Sequence, residues 1–148
     1  MQIKKVHGKE KLKYRDLLLL ADEEWKMVEK YLFRGEMYVL LEDSVIGSCI
    51  VTDEGKGNLE LKSLAVFPAY QRQGYGHLMV KFVLQHYQGK GHTLYVGTGA
   101  SPITLGFYES CGFVYSHSIK NFFTDNYKEP IIEAGVQLID MIYLKQKL

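Results

Sequence analysis

A polar turn between an apolar stretch and an amphipathic stretch contains the residue types that most directly indicate chemistry in this sequence. The apolar stretch ends at Pro68, and Gly74 and Gly76 then open a segment with apolar residues at helical spacing. A helix that begins here presents free backbone N–H groups, which bind anions readily. Glycine lets a ligand approach the backbone closely, and Arg72 adds positive charge. The pattern therefore indicates a pyrophosphate as the bound group.

Two familiar phosphate-binding patterns do not match this sequence. Gly-x-Gly-x-x-Gly would need a glycine where Met79 stands, and the P-loop would need Ser or Thr where Gly91 follows Gly89-Lys90. A Gly-x-Gly alone is also typical of a tight strand-to-helix turn that binds nothing. On this fragment alone, both the simple turn and the anion site stay open.

A longer pattern around the turn is more specific. Gln71-x-x-Gly-x-Gly follows a strand that ends in Leu-Ala-Val-x-Pro, and this resembles the acetyl-CoA-binding signature of the GNAT superfamily of N-acetyltransferases. Residues 105–113 resemble the Tyr-x-x-x-Gly-Phe helix end of the same family. The two motifs stand in the expected order, and the resemblance covers nearly the whole chain. The tail is similar to a branch of small, mostly uncharacterised bacterial members.

The resemblance implies which residues bind acetyl-CoA, the co-substrate of the family. A β-bulge would free the Leu64 N–H to polarise the thioester carbonyl, and the Val66 main chain would hydrogen-bond the pantetheine arm. Ser101 stands near a position where many members have an asparagine that binds this arm; a helix cap explains this serine equally well. The residues implied to contact the cofactor are Leu64, Ala65, Val66, Gln71, Arg72, Gln73, Gly74, Tyr75, Gly76, His77 and Ser101.

Two residues match the acid and base positions of the family. Tyr108 matches a tyrosine that protonates the departing CoA thiolate, a step suited to a phenol with a pKa of about 10. Glu60 matches a glutamate that deprotonates the attacking amine, directly or through water. Strand alternation predicts that Glu60, Lys62 and Leu64 share one face. The structural alternatives are a packed tyrosine and a surface glutamate beside Lys62.

The acceptor side is less sharply defined. Tyr31 lies in a helical region that borders the acceptor site in the family. Asp125 and Glu133 lie in an acidic loop near the end of the chain. This loop either attracts a cationic amine or is an ordinary solvated loop. We expect a primary amine of a small molecule or peptide to attack acetyl-CoA directly in a ternary complex. A non-catalytic acyl-CoA-binding or sensor module is the competing hypothesis, and a nucleotide-binding protein is a third. The histidines lack metal-ligand spacing.

The elements that position these residues follow from periodicity and turn signals. The expected strands cover residues 2–6, 37–42, 45–53, 59–67, 93–96 and 136–144, with strand-like stretches within 113–123. The expected helices cover residues 12–21, 22–33 and 74–87, with a fourth from Ser101 to Cys111. Because the strand–helix–strand around residues 59–96 needs a crossover, at least one strand pair should be parallel. The fold class is therefore α/β; the resemblance implies a mixed, mostly antiparallel central sheet flanked by helices, with splayed central strands forming the acetyl-CoA cleft.

Composition narrows the remaining function classes. A length of 148 residues predicts a single domain over 1–148, and 47% hydrophobic with 24% charged residues is ordinary for a globular chain. The formal charge of +1 predicts no nucleic-acid partner. The apolar runs are too short to span a bilayer and the first residues do not resemble a secretory signal, so we expect no membrane partner and no secretion. Two cysteines are too few for a disulfide framework. We therefore expect a cytoplasmic protein; a homodimer, common in the family, stays open.

Overall fold

A seven-stranded sheet forms the centre of the computed structural model, which describes residues 1–148. The strands are β1 (Gln2–Val6), β2 (Glu36–Leu41), β3 (Val45–Asp53), β4 (Asn58–Val66), β5 (Thr93–Thr98), β6 (Val114–Ile119), β7 (Ile132–Glu133), β8 (Val136–Gln137) and β9 (Met141–Lys147). The helices are α1 (Arg15–Ala21), α2 (Trp25–Glu29), α3 (Tyr75–Tyr87), α4 (Pro102–Ser110) and α5 (Phe122–Asn126), with 3-10 helices at Gly8–Tyr14 and Pro68–Tyr70. No helix is long and apolar enough to cross a membrane.

The strand order confirms the mixed, mostly antiparallel sheet. Neighbouring strands run β1-β2-β3-β4-β5-β9-β6, and β7 pairs only with β8 in a small separate ribbon. Every neighbouring pair in the large sheet is antiparallel except β4 and β5, which are parallel and are joined through α3. The crossover that the sequence predicts is therefore present.

The central strands β4 and β5 pair over only part of their length. Their parallel ladder joins residues 58–61 to residues 93–96 and stops there. Beyond this point β4 continues to Val66 and β5 to Thr98 without a shared partner. The two strands therefore splay apart and leave a wedge-shaped cleft in the middle of the sheet, as the family resemblance implies.

A β-bulge in β4 changes which side chains share a face. On β3, Ile50 pairs with Ser63 and Val51 pairs with Leu61, so that Lys62 is an extra residue in β4. An extra residue inverts the alternation of side chains that follow it. Leu61 and Leu64 consequently pack on the same apolar cluster. The prediction that Glu60, Lys62 and Leu64 share one face is therefore wrong.

Two hydrophobic cores lie on opposite faces of the sheet. One joins α3 and α4 to the sheet through residues such as Met79, Val83 and Leu61. The other lies under α1 and α2 and includes Leu18 and Val28. Burial of each such side chain contributes about 1.5–3 kcal/mol, so these cores hold the helices against the sheet.

The segments around α1 and α2 are less helical than the periodicity predicts. Residues 8–14 form a 3-10 helix before α1, and α2 ends at Glu29 instead of continuing to residue 33. The ammonium of the buried Lys11 donates to the carbonyl oxygens of Leu32 at 2.8 Å and Gly35 at 2.7 Å. This lysine supplies the donors that a continued helix would otherwise provide.

The late part of the chain also differs from the expected elements. The strand-like stretch from residue 113 ends at Ile119 and is followed by α5, and the last strand begins at Met141 instead of residue 136. Between them, the short β7–β8 ribbon turns through Ala134 and Gly135. Residues 122–140, which we call the cover segment, therefore cross the molecule as a short helix and a small hairpin.

The close contact between β3 and β4 predicts a specific sensitivity to side-chain size. A Cβ added to Gly47 would lie 2.5 Å from the Ala65 carbonyl oxygen, so Gly47→Ala should lower the free energy of unfolding by about 1–3 kcal/mol. Gly106→Ala in α4 is the control, since nothing lies within 4 Å of the new atom and alanine should raise stability by up to about 1 kcal/mol. Urea denaturation measures both, and an unchanged midpoint for Gly47→Ala would contradict this strand contact.

Candidate functional site

The turn between β4 and α3 presents a continuous run of unpaired backbone donors. The backbone N–H groups of Arg72 to His77 donate to no protein acceptor, and the first N–H of α3 that does so is that of Leu78, which bonds to the Gly74 carbonyl oxygen at 3.1 Å. Arg72 and Gly74 both have positive φ, at 62° and 86°. A non-glycine residue in this conformation is uncommon and occurs preferentially at functional turns. The donors face solvent and are arranged to hold an anion.

Glutamine side chains hold this turn in shape. The Gln71 side-chain amide donates to the Val66 carbonyl oxygen at 2.9 Å, and that of Gln73 donates to the Ala69 carbonyl oxygen at 3.2 Å. Both side chains therefore bond to the local backbone, which leaves the main-chain N–H groups as the donors available to a ligand.

The first turn of α3 packs tightly against α4. A Cβ on Gly76 would lie 3.1 Å from the Phe107 ring, so the glycine permits this approach. The Ser110 hydroxyl donates to the Phe107 carbonyl oxygen at 2.6 Å and accepts from His77 Nε2 at 2.8 Å. The His77 ring is thereby directed toward α4, and its backbone N–H is its contribution to the turn.

The open edge of β4 presents main-chain groups to the cleft. The Phe67 N–H donates to Ile46 on β3 at 2.9 Å. Because consecutive residues of a strand direct their N–H groups to opposite sides, that of Ala65 also faces β3, whereas those of Leu64 and Val66 face the cleft. The Leu64 and Val66 N–H groups are therefore available to a molecule in the cleft.

The first cavity of the site occupies the wedge between β4 and β5 and has a volume of about 270 Å³. Leu64 and Ser63 line one wall, and Tyr108 from α4 lines another. The Tyr108 side chain is 8% exposed, and its hydroxyl has no hydrogen-bond partner in the protein although it is not sealed from the cavity. Burial raises the pKa of Tyr108, so the hydroxyl stays protonated at neutral pH.

The second cavity lies beside the first, on the face of the sheet that α2 covers, and has a volume of about 200 Å³. Glu60 and Tyr31 line it. The Glu60 carboxylate is 3.0 Å from the Lys62 ammonium. Burial raises the pKa of Glu60, and Lys62 partly opposes that rise. Burial together with the charge of Glu60 raises the pKa of Tyr143, which lines the same cavity, to about 12.

The model of the acetyltransferase (GNAT) domain family matches residues 34–115, a segment that runs from the end of the α2 region to β6. The chain belongs to the GNAT family of acetyltransferases. The family that the two sequence motifs indicate is thereby confirmed.

Individual relatives agree with the family assignment. A curated relative, the uncharacterized N-acetyltransferase YvbK of Bacillus subtilis (strain 168), is 35% identical over 87% of this chain and 85% of its own length. A GNAT family acetyltransferase from Elizabethkingia anophelis, solved with acetyl-CoA bound, has a TM-score of 0.92 and 35% identity over 99% of this chain and 97% of its own. A Bacillus subtilis acetyltransferase in complex with CoA has a TM-score of 0.91 and 31% identity over 99% and 98% of the two chains.

Asp22 is a residue of this acetyltransferase that the sequence analysis missed. It lies between α1 and α2 and lines both cavities. Its carboxylate accepts hydrogen bonds from the Tyr127 hydroxyl at 2.7 Å and the Tyr31 hydroxyl at 3.4 Å, and burial raises its pKa. In the sequence, Asp22 precedes Glu24 and Trp25 and is typical of a helix start, so nothing local distinguishes it.

The acidic residues of the cover segment are placed unequally. Asp125 is exposed on α5 and lines neither cavity. Glu133 lines the first cavity from the β7–β8 ribbon, and partial burial raises its pKa. Only Glu133 of these two is therefore positioned to meet a molecule in the cleft.

The start of α4 lacks the side-chain cap that the sequence predicts for Ser101. Its side chain is buried but forms no cap hydrogen bond, and it lines neither cavity. Gly99 and Thr104 line the first cavity instead. A Cβ on Gly99 would lie 2.5 Å from Leu138 of the cover segment, so this glycine lets the cover segment close on the end of β5.

Burial of Glu60 predicts how stability depends on pH. The pKa of Glu60 in the folded state is raised above its ordinary value of 4.5, so the folded protein binds this proton more tightly than the unfolded chain does. This tighter proton binding contributes to the free energy of unfolding at low pH, and the contribution is lost as pH rises through the raised pKa of the folded state. The variant Glu60→Gln lacks this loss, and its stability relative to wild type should increase from about pH 4 to about pH 8.

Urea denaturation at a series of pH values measures this difference. Glu109→Gln, an exposed position on α4, is the control and should stay within about 0.5 kcal/mol of wild type throughout. A relative stability of Glu60→Gln that falls with pH would contradict the burial argument.

Proposed function

We propose that this acetyltransferase transfers the acetyl group of acetyl-CoA to a primary amine of a small molecule or peptide, by direct attack in a ternary complex. The observation that carries the proposal is that the cleft-facing strand edge at Leu64 and the free hydroxyl of Tyr108 line one cavity. An acyl transfer needs a donor for the carbonyl oxygen and an acid for the leaving group, and this cavity contains both.

The turn at the start of α3 would bind the pyrophosphate of acetyl-CoA. Its unpaired N–H groups from Arg72 to His77 supply donors, and Arg72 supplies positive charge. The Val66 N–H, facing the cleft, would hydrogen-bond the pantetheine arm and so direct the thioester toward Leu64. The ligands of the two similar crystal structures, acetyl-CoA and CoA, support this assignment.

The transfer itself would use Leu64 and Tyr108. The amine nitrogen forms a bond to the thioester carbon, and the Leu64 N–H stabilises the negative charge that develops on the carbonyl oxygen. The tetrahedral intermediate then expels the CoA sulfur, which takes a proton from the Tyr108 hydroxyl. The Tyr108 phenolate regains a proton from the substrate nitrogen, directly or through water, as that nitrogen becomes the amide. Burial keeps Tyr108 protonated at neutral pH, so its hydroxyl carries a proton when the thiolate forms.

Glu60 would accept the proton that an ammonium must lose before it attacks. It lies in the adjoining cavity, so the proton passes directly or through water. A carboxylate whose pKa is raised by burial is a stronger base than an exposed one, and Lys62 favours its ionised form. Overall, an ammonium and acetyl-CoA give an N-acetyl amide, CoA thiol and one proton.

The cysteines support direct attack over an acetyl-cysteine intermediate. Cys49 is fully buried, and burial raises its pKa to about 12. Cys111 also has a raised pKa and lines neither cavity. A nucleophilic cysteine needs a lowered pKa and access to the thioester, and neither residue has both.

Release of CoA thiol with a panel of primary amines tests the reaction and the role of Tyr108 together. Wild type should turn over at least one amine, and Tyr108→Phe should lower kcat by about 100-fold or more because the leaving thiolate loses its acid. The variant should fold normally, since this hydroxyl forms no side-chain hydrogen bond.

Tyr115→Phe is the matched control, because this tyrosine is exposed on β6 and bonds only to Ser118. It should leave kcat unchanged. Binding of acetyl-CoA without turnover of any amine would favour the non-catalytic module instead, and an unchanged rate for Tyr108→Phe would remove that residue from the mechanism.

The pyrophosphate turn can be tested by two glycines at opposite ends of α3. Gly74 and Gly89 both have positive φ and open space at the Cβ position, so alanine at either costs about 1–2 kcal/mol of backbone strain. Only Gly74→Ala should also weaken CoA binding, by about tenfold or about 1.4 kcal/mol, since it redirects the donors of the turn. Calorimetric titration with CoA measures this, and equal affinities for the two variants would contradict the site.

A further inference from the structure

The carboxylate of Asp22 has a place in this site that the proposed reaction does not yet use. We infer that Asp22, oriented by Tyr31 and Tyr127, binds the ammonium group of the acceptor, so that the acceptor enters the cleft as a cation. This inference rests on the proposed function and names the chemical class of its substrate: an alkylammonium, as distinct from an uncharged aromatic amine or an alcohol.

The geometry fixes Asp22 as an acceptor of hydrogen bonds. One carboxylate oxygen accepts from the Tyr127 hydroxyl at 2.7 Å, and the other accepts from the Tyr31 hydroxyl at 3.4 Å. Tyr31 is buried and Tyr127 is partly buried, so neither hydroxyl is free to rotate into solvent. The Glu24 backbone N–H is a third donor, 3.5 Å from the oxygen that Tyr127 contacts. A carboxylate has about four lone-pair sites, so these three bonds leave one for an ammonium donor.

Charge distinguishes Asp22 from the other carboxylates around the second cavity. Glu60 is paired with Lys62, and Glu54, behind it, is paired with Arg34. Asp22 forms no ion pair with any lysine, arginine or histidine. Carboxylates withdrawn from water are normally compensated by a cation or a metal. Lys30, Arg34 and Lys62 also line the second cavity, but none of them forms an ion pair with Asp22. An ammonium group of the acceptor can therefore pair with this carboxylate directly.

The position of Asp22 suits the reacting nitrogen. Asp22 lines both cavities, and Tyr127 and Lys62 lie with it along the boundary between them. A nitrogen bound there has the Leu64 and Tyr108 cavity on one side and the Glu60 cavity on the other. It can therefore lose a proton toward Glu60 and attack the thioester on the opposite side, with Asp22 as the binding residue.

The surroundings favour an acceptor with an apolar body. Leu20, Phe123 and Ile131 line the first cavity around Asp22, and Met27 lines the second. Aromatic faces near a cation add to its attraction. A cationic amine on an aliphatic or aromatic frame therefore fits the site on charge and on shape.

Steady-state kinetics with Asp22→Asn tests the inference. With benzylamine as an acceptor that is charged at neutral pH, the variant should raise KM by about tenfold or more, because a charge-assisted hydrogen bond is lost. With aniline, which is uncharged at neutral pH, wild type and variant should differ by less than about twofold. Asp22→Glu should recover part of the benzylamine KM, and the affinity for CoA should be unchanged.

Glu29→Gln is the matched control, since Glu29 is an exposed carboxylate on α2 and lines neither cavity. Its KM for benzylamine should stay within about twofold of wild type. Equal loss for benzylamine and aniline, or an unchanged KM in Asp22→Asn, would overturn the inference. Tyr127→Phe, which keeps the carboxylate and removes one orienting donor, should give an intermediate KM.

A binding measurement separates failure of this inference from failure of the proposed function. Benzylammonium titrated into the CoA-bound protein should bind wild type and Glu29→Gln but not Asp22→Asn, whether or not any amine is acetylated. Binding that is lost in Asp22→Asn supports the inference even if no turnover is found. Binding that is equal in all three proteins overturns it even if acetylation is found.

Discussion

The rest of the site depends on the point where β4 and β5 stop pairing. Backbone groups of a central strand normally bond to a neighbour on each side, so a strand that loses one neighbour must find other partners. On β4 the Val66 carbonyl oxygen is taken by the Gln71 side chain, whereas the N–H groups of Leu64 and Val66 face an open cleft. Because α3 provides the crossover between these strands, its N-terminus lies at the same open end. One interruption in the ladder thus places the cleft and the turn with unpaired N–H donors side by side.

Features encoded by neighbouring residues could be predicted from the sequence. The turn from Gln71 to His77, the helix that starts after it and the tyrosine of α4 each belong to a short contiguous pattern. The parallel pair β4–β5 followed from the strand–helix–strand order alone. The face of Glu60 could not be predicted, because it depends on a single bulge at Lys62 whose position is set by pairing with β3. Periodicity assumes a regular strand, and one inserted residue is enough to invert its result.

The acceptor side escaped prediction for a different reason. Tyr127 and Asp22 are 105 positions apart, and their hydrogen bond exists only because the cover segment crosses α1 and α2. Asp125 lies on α5 in the same cover segment, but its side chain is exposed to solvent. Ser101 is a comparable case at the start of α4, where its sequence context favours a cap that the side chain does not form. Contacts between distant segments leave no local pattern to detect.

The bulge in β4 has a consequence for how related enzymes diverge. It divides one strand into two parts whose side chains belong to opposite layers: Glu60 meets the layer of α1 and α2, whereas Leu64 meets that of α3 and α4. Substitutions in the first layer can change the molecule admitted to the cleft without moving the Leu64 and Val66 main-chain groups that we propose hold the acyl donor. Enzymes that retain this strand can therefore change their acceptor through substitutions in the layer of α1 and α2, while the layer of α3 and α4 stays under constraint.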